Sequence, residues 1–161
     1  MVNCIVAVEL NQGIGFNNSM PWPRLKDDLK FFKNMTTSSI VIMGSSTFKS
    51  LEYKPLPNRI NVVLSRTHPY PTADHTFHNP DTALAFCTNE YPDKEIFIIG
   101  GSEIYNLYFP YVKKFYITEI DAHFQCDKFF NLTYVQNNCK KVKELLKFKD
   151  PINFTIKEYT I

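Results

Sequence analysis

"IFIIGGSEIYNLYF", residues 96–109, runs from branched apolar residues through two glycines straight into a helical pattern. A second stretch, "IVIMGSSTF" at 40–48, repeats the design. Short unbroken runs rich in Ile and Val belong to strands buried on both faces, as in parallel sheets. Three more runs read the same way: "CIVAV" (4–8), "INVVLS" (60–65) and "FYITEI" (115–120). Helical segments alternate with them at 25–35, near 46–51, at 80–89 and at 102–109. This alternation predicts an α/β fold with a mostly parallel central sheet and flanking helices. The C-terminal "FTIKEYTI" (154–161) alternates apolar and polar residues with no helix before it. It is expected to close the sheet as an antiparallel edge strand. Turn chemistry marks 51–59 and 66–75 as loops, and the lysine-rich 139–149 reads as a solvated surface segment.

The helix at 25–35 holds an anomaly. With Leu25 at zero and about 100° per residue, Leu29, Phe31, Phe32 and Met35 share one apolar arc with it. Lys26, Lys30 and Lys33 take the opposite face. Asp27 falls at the border of the arc, but Asp28 falls near its centre. A carboxylate in that position is costly unless something pairs with it. No lysine shares its face, so the partner comes from the fold or from a ligand.

Bulk properties narrow the classes. The 161 residues are most simply one domain, 1–161, able to bury about 68–70% of the unfolded surface. A net charge of +2 gives no ground for a nucleic-acid or membrane partner. The four cysteines form no CxxC pair and read as free thiols in a reducing compartment. The opening "MVNCIVAVEL" lacks a basic n-region, and Glu9 interrupts its apolar run, so it does not read as a signal peptide. A cytoplasmic location follows as the expectation.

Both glycine junctions offer unpaired N–H groups at a helix start and a backbone that a ligand can approach closely. Two such junctions suit a ligand with two phosphates, that is, a dinucleotide. Gly and Ser are also ordinary strand-to-helix connectors, so each junction alone is better read as a turn than as a ligand site. Neither "GSSTFK" nor "GGSEIY" is a GxGxxG fingerprint. The four histidines lack zinc-site spacing, and no metal site is expected. There is no nucleophile elbow and no Walker lysine.

The segments "NCIVAVELNQGIGFNNSMPW", "LKDDLKFF", "VIMGSSTFKSL", "PLPNRINVVLSR", "IFIIGGSEIY" and "FYITEIDAHFQCDKFF" together resemble the dihydrofolate reductase family, in order and at the family's spacings, from residue 3 to about 130. The resemblance implies hydride transfer from NADPH to C6 of dihydrofolate, with a proton reaching N5 by way of water. It places Asp28, Thr118, Trp22 and Met20 at the catalytic centre. Asp28 matches the acid that holds the pterin's N3 and 2-amino group, a donor fork suited to a carboxylate. Ile5, Ala7, Phe32, Leu51, Leu56, Ile99 and Tyr105 match the substrate pocket, and Arg59 the clamp on the glutamate carboxylate. The cofactor positions match Ala7, Ile14, Gly15, Ser45, Ser46, Thr47, Leu64, Ser65, Arg66, Gly100, Gly101, Ser102, Glu103, Ile104 and Tyr105. Residues 13–22 match a mobile loop closing over the nicotinamide, and Asp127 an acid on a neighbouring loop that steadies it. The implied partners are two small molecules, and the implied state is a monomer.

Several positions depart from the family pattern. Ser45 and Ser46 stand where basic residues often read the cofactor's 2′-phosphate, which shifts that task toward Arg66. Asn18 and Asn58 occupy frequent glycine positions, where Asn tolerates the left-handed region. Phe48 replaces a common tryptophan, and Cys126 a common glycine. Two other readings compete: a riboflavin-pathway reductase on the same fold, and an inactive nucleotide- or RNA-binding homologue. Neither requires an acid at Asp28 together with an arginine at Arg59.

Overall fold

The computed structural model describes all residues, 1–161, as an eight-stranded sheet with helices on both faces. The strands are β1 (Val2–Val8), β3 (Ile40–Gly44), β4 (Ile60–Leu64), β5 (His75–Phe77), β6 (Ile96–Gly100), β7 (Lys114–Ile120), β9 (Lys141–Phe148) and β10 (Phe154–Thr160). Their order is β5-β4-β3-β6-β1-β7-β10-β9. All neighbours from β5 to β7 pair in parallel; β10 pairs antiparallel with β7 and with β9. A two-stranded ribbon joins β2 (Gly13–Gly15) to β8 (Lys128–Phe129).

The five apolar runs form β1, β3, β4, β6 and β7 as expected. Their side chains alternate between two layers, as the two-residue strand period requires. Cys4, Val6, Val8, Ile40, Ile42, Val62, Leu64, Ile96, Ile98, Phe115 and Ile117 face one core. Ile5, Val41, Met43, Val63, Phe97 and Tyr116 face the other. Helices α3 (Pro80–Glu90), α4 (Ser102–Tyr108) and α5 (Leu132–Asn138) supply residues to the first layer, while α1 (Lys26–Thr36) and α2 (Ser45–Ser50) cover the second.

Local chemistry sets the helix ends. Asn79 caps α3 by accepting from the N–H groups of Asp81 and Thr82, with Pro80 in the first turn. Asp27 and Asp28 lie in the first turn of α1 and Lys33 in its last, as the helix dipole favours. Asn58 and Asn18 adopt φ of 61° and 60°, the left-handed conformation expected of them.

The C-terminal strand is antiparallel, as the sequence suggests, but it does not hold the edge. That place belongs to β9, residues 141–148, which fall in the stretch 139–149 that reads as a solvated surface segment. The lysines misled the reading: only Leu145 and Phe148 are half-buried there, so no apolar alternation announces a strand. The short β5 and α5 were also not legible as elements. No helix is long and apolar enough to cross a membrane.

Candidate active site

Because β1, β3, β4 and β6 run in parallel, their carboxyl ends and the loops after them lie along one side of the sheet. Ligands of open α/β sheets bind at that side. On the α1–α2 face, Ile5 belongs to one apolar cluster, and Phe32, Leu51, Leu56 and Ile99 pack against it. These residues come from β1, α1, the segment after α2 and β6, and they are five of the expected pocket residues. Ala7 packs against a neighbouring cluster that contains Trp22 and Leu25.

Asp28 sits at the end of this wall. It is 8% exposed, whereas Asp27, one residue earlier, is exposed. The hydroxyl of Thr118 on β7 donates to Asp28 Oδ1 at 2.5 Å. Oδ2 receives no donor from the protein. The carboxylate lines a small cavity of about 170 Å³ with Met20, Trp22, Pro23, Arg24, Leu25 and Leu29. Burial pushes its pKa above the usual carboxylate range, and the Thr118 hydrogen bond pulls part of the way back. A larger hollow of about 440 Å³ lies among Leu10, Glu119, Lys147, Lys149 and Lys157. It holds none of the expected site residues, and Lys157 there already pairs with Glu119.

Arg59 lies beside the same wall. Its Nε donates to the Pro57 carbonyl at 2.9 Å and its Nη1 to Thr36 Oγ1 at 3.0 Å. Its guanidinium carbon stands 5.9 Å from the centre of the Phe32 ring. These contacts fix the plane of the fork beside the end of α1. Asn61 holds the loop that presents Arg59: its side-chain amide accepts from Leu56 N–H and donates to the carbonyls of Leu56 and Arg59. Nothing in the sequence singled out Asn61, since a lone Asn at the start of an apolar run carries no local signal.

The two glycine junctions lie side by side, because β3 pairs with β6. A Cβ on Gly44 would come within 2.8 Å of Ile104, so glycine there permits close packing of the junctions. Gly100 has φ of +122°, which only glycine adopts without strain. Beyond Gly101 the nearest heavy atom to an added Cβ is Thr47 Oγ1, at 3.8 Å. The surface between the junctions is thus open backbone flanked by Ser45, Ser46, Thr47, Ser102 and Glu103, and neither helix start is capped by a side chain. That arrangement fits the pyrophosphate of a dinucleotide. Tyr105 is buried, and its hydroxyl donates to the Ile5 carbonyl at 2.8 Å, tying α4 to β1.

Other expected cofactor residues are placed less simply. Leu64 packs into the core, and the Ser65 hydroxyl accepts from the N–H groups of Thr67 and His68. Arg66 is exposed but not free: its Nη2 pairs with the Glu103 carboxylate in the first turn of α4. Ile14 and Gly15 lie on β2, half-buried. Asp127 steadies this segment as expected, accepting from Asn17 N–H at 3.0 Å and donating its own N–H to Gly15 at 2.8 Å.

The geometry combines a buried acid beside an apolar wall, an oriented arginine and a paired glycine cradle. A profile described as dihydrofolate reductase matches residues 1–160. The chain belongs to the dihydrofolate reductase family. It is 39% identical to the dihydrofolate reductase of Neisseria gonorrhoeae, over 80% of this chain and 78% of that protein. It is 33% identical to that of Bacillus subtilis, over 95% and 88%. It is 38% identical to the bifunctional dihydrofolate reductase-thymidylate synthase of Paramecium tetraurelia over 79% of this chain, which spans only 27% of that longer protein. Membership in the dihydrofolate reductase family makes the chain an oxidoreductase of tetrahydrofolate formation, with NADPH as cofactor.

Proposed function

We propose that this chain reduces 7,8-dihydrofolate to 5,6,7,8-tetrahydrofolate with Asp28 as the residue that holds the pterin. The supporting observation is the half-satisfied carboxylate: one oxygen is held by Thr118, the other has no donor from the protein, and Asp28 lines the cavity. A pterin offering N3–H and a 2-amino group completes that oxygen's donors and repays part of the cost of burial. When bound, NADPH supplies the hydride that adds to the substrate at C6.

The chain's own groups bind, orient and exclude water. Thr118 fixes which way the Asp28 carboxylate turns. Phe32, Leu51, Leu56 and Ile99 pack on the flat rings, and Ile5 and Ala7 form the floor between substrate and cofactor. Arg59 takes the glutamate carboxylate. Met20 and Trp22 cover the cavity mouth and control the water that delivers a proton to N5. Asp28 favours the protonated substrate through its charge. Ser45, Ser46, Thr47, Gly100, Gly101, Ser102 and Ile104 would cradle the cofactor phosphates, with Arg66 beside the 2′-phosphate. The enzyme is further proposed to act as a cytoplasmic monomer in one-carbon metabolism and thymidylate supply.

The test is the fall in absorbance at 340 nm with NADPH and dihydrofolate. Wild type should turn over, Asp28→Asn should lose most activity near neutral pH, and Asp27→Asn should stay close to wild type. Folate binding without turnover would favour an inactive homologue. Equal losses from both substitutions would remove Asp28 from its role.

A further inference from the structure

We propose that Glu9 is a positioning residue that sets the seat of Trp22 over the Asp28 cavity by holding the backbone of Phe124. Glu9 follows β1 at the carboxyl side of the sheet, and its side chain is fully buried, 0% exposed. A buried carboxylate persists only where donors satisfy it. Oε1 accepts from Asn11 N–H at 2.8 Å and from Gly13 N–H at 3.0 Å. Oε2 accepts from Phe124 N–H at 3.3 Å, and the exposed His123 ring lies 3.7 Å from the same oxygen. One side chain thus joins the segment that enters β2 to the segment after β7, 115 residues away.

The path onward is direct. The Phe124 ring meets the Trp22 ring edge-on, with centroids 6.3 Å apart. Trp22 lies in a cluster with Leu25, Ile120, Phe154 and Ile156, and it lines the cavity that contains Asp28. Shifting the Phe124 backbone moves the ring that abuts Trp22, and Trp22 is the chain's only tryptophan. Its fluorescence therefore reports the seat without interference.

Glu9→Gln separates positioning from mere support. The glutamine oxygen can keep the two loop N–H groups, but its amide nitrogen then faces Phe124 N–H, donor against donor. The change is confined to the Oε2 side, which faces Phe124 N–H and the exposed His123 ring. The experiment compares wild type, Glu9→Gln, Phe124→Leu and the double variant in the full chain. The readouts are Trp22 emission, acrylamide quenching, thermal unfolding and steady-state kinetics. Both single variants should red-shift and expose Trp22, and kcat/KM for dihydrofolate should fall roughly three- to tenfold. The double variant should be no worse than the worse single one. A lower melting temperature with unchanged Trp22 signals would make Glu9 a structural cap and overturn the proposal. Fully multiplicative losses in the double variant would overturn it too, since Glu9 would then act by another route. Should Glu9→Gln fail to fold, Phe124→Leu still decides: an unmoved Trp22 signal overturns the proposal. The kinetic arm rests on the reductase reading and the fluorescence arm does not. A wild type without turnover would sink that reading and leave this one to the fluorescence.

Discussion

The role proposed for Asp28 sets stability against function. Desolvation raises its pKa, so the folded chain without ligand binds that proton more tightly than the unfolded chain does. Stability from this group is therefore full at low pH and is lost as pH rises past the unfolded carboxylate value of about 3.9. The Asp28→Asn protein without ligands should melt at or above the wild-type temperature at neutral pH, and the gap should close on acidification. A clear drop at neutral pH would mean that the ionised carboxylate stabilises the empty site. Arg66 carries a second expectation at this scale. Its pairing with Glu103 sets a carboxylate in competition with any phosphate it would read. Glu103→Gln should raise the NADPH-over-NADH ratio of kcat/KM several-fold, and Arg66→Ala should lower it, both effects shrinking in high salt. If Glu103→Gln leaves the ratio unchanged, Arg66 does not read the phosphate. Asp28 was legible because its helix face is periodic. The pairing of Arg66 with Glu103 was not, since residues 37 apart that meet between exposed ends leave no local pattern. Glu9 stood in plain view as an acid ending an apolar run, but one of its donors, Phe124 N–H, comes from a segment that only the fold brings near.

Among the elements, the parallel strands were legible because burial on both faces leaves an unbroken Ile and Val run. The β2–β8 ribbon was not: it is three residues against two, and its register is interrupted. Its tight contact is steric. A Cβ on Gly13 would lie 2.2 Å from Cys126 Sγ and 2.6 Å from Cys126 Cβ. Cys126 thus fills the space that a side chain at Gly13 would need, which couples the departure at 126 to the loop entered at 13. Gly13→Ala should destabilise the protein by about 1–3 kcal/mol in denaturant unfolding, as overpacking does. Adding Cys126→Gly should restore much of that loss. If Gly13→Ala costs nothing, the ribbon gives way freely and does not constrain the loop.

At the scale of the whole molecule, the sheet has two open edges, and their treatment bears on the oligomeric state. One edge is β5, only three residues long, which offers little backbone to a partner. The other is β9, eight residues long and largely exposed, with Val142 and Leu146 at 57% and 43%. Such a strand is a template for pairing unless something blunts it. Lys141, Lys143 and Lys147 lie along it, with one acid, Glu144, among them. In an antiparallel self-pairing centred on Glu144, Lys141 would face Lys147 of the copy and Glu144 its own counterpart, and like charges opposite each other oppose association. The same lysines that hid β9 in the sequence disfavour pairing along its edge. The wild type should therefore elute as a monomer by size exclusion with light scattering, at low and moderate salt. Replacing Lys143 and Lys147 with valine should leave the fold and its turnover intact while producing concentration-dependent dimers or larger species. A wild type that dimerises at low salt, where repulsion is strongest, would show that the edge charges do not govern association and that another surface does.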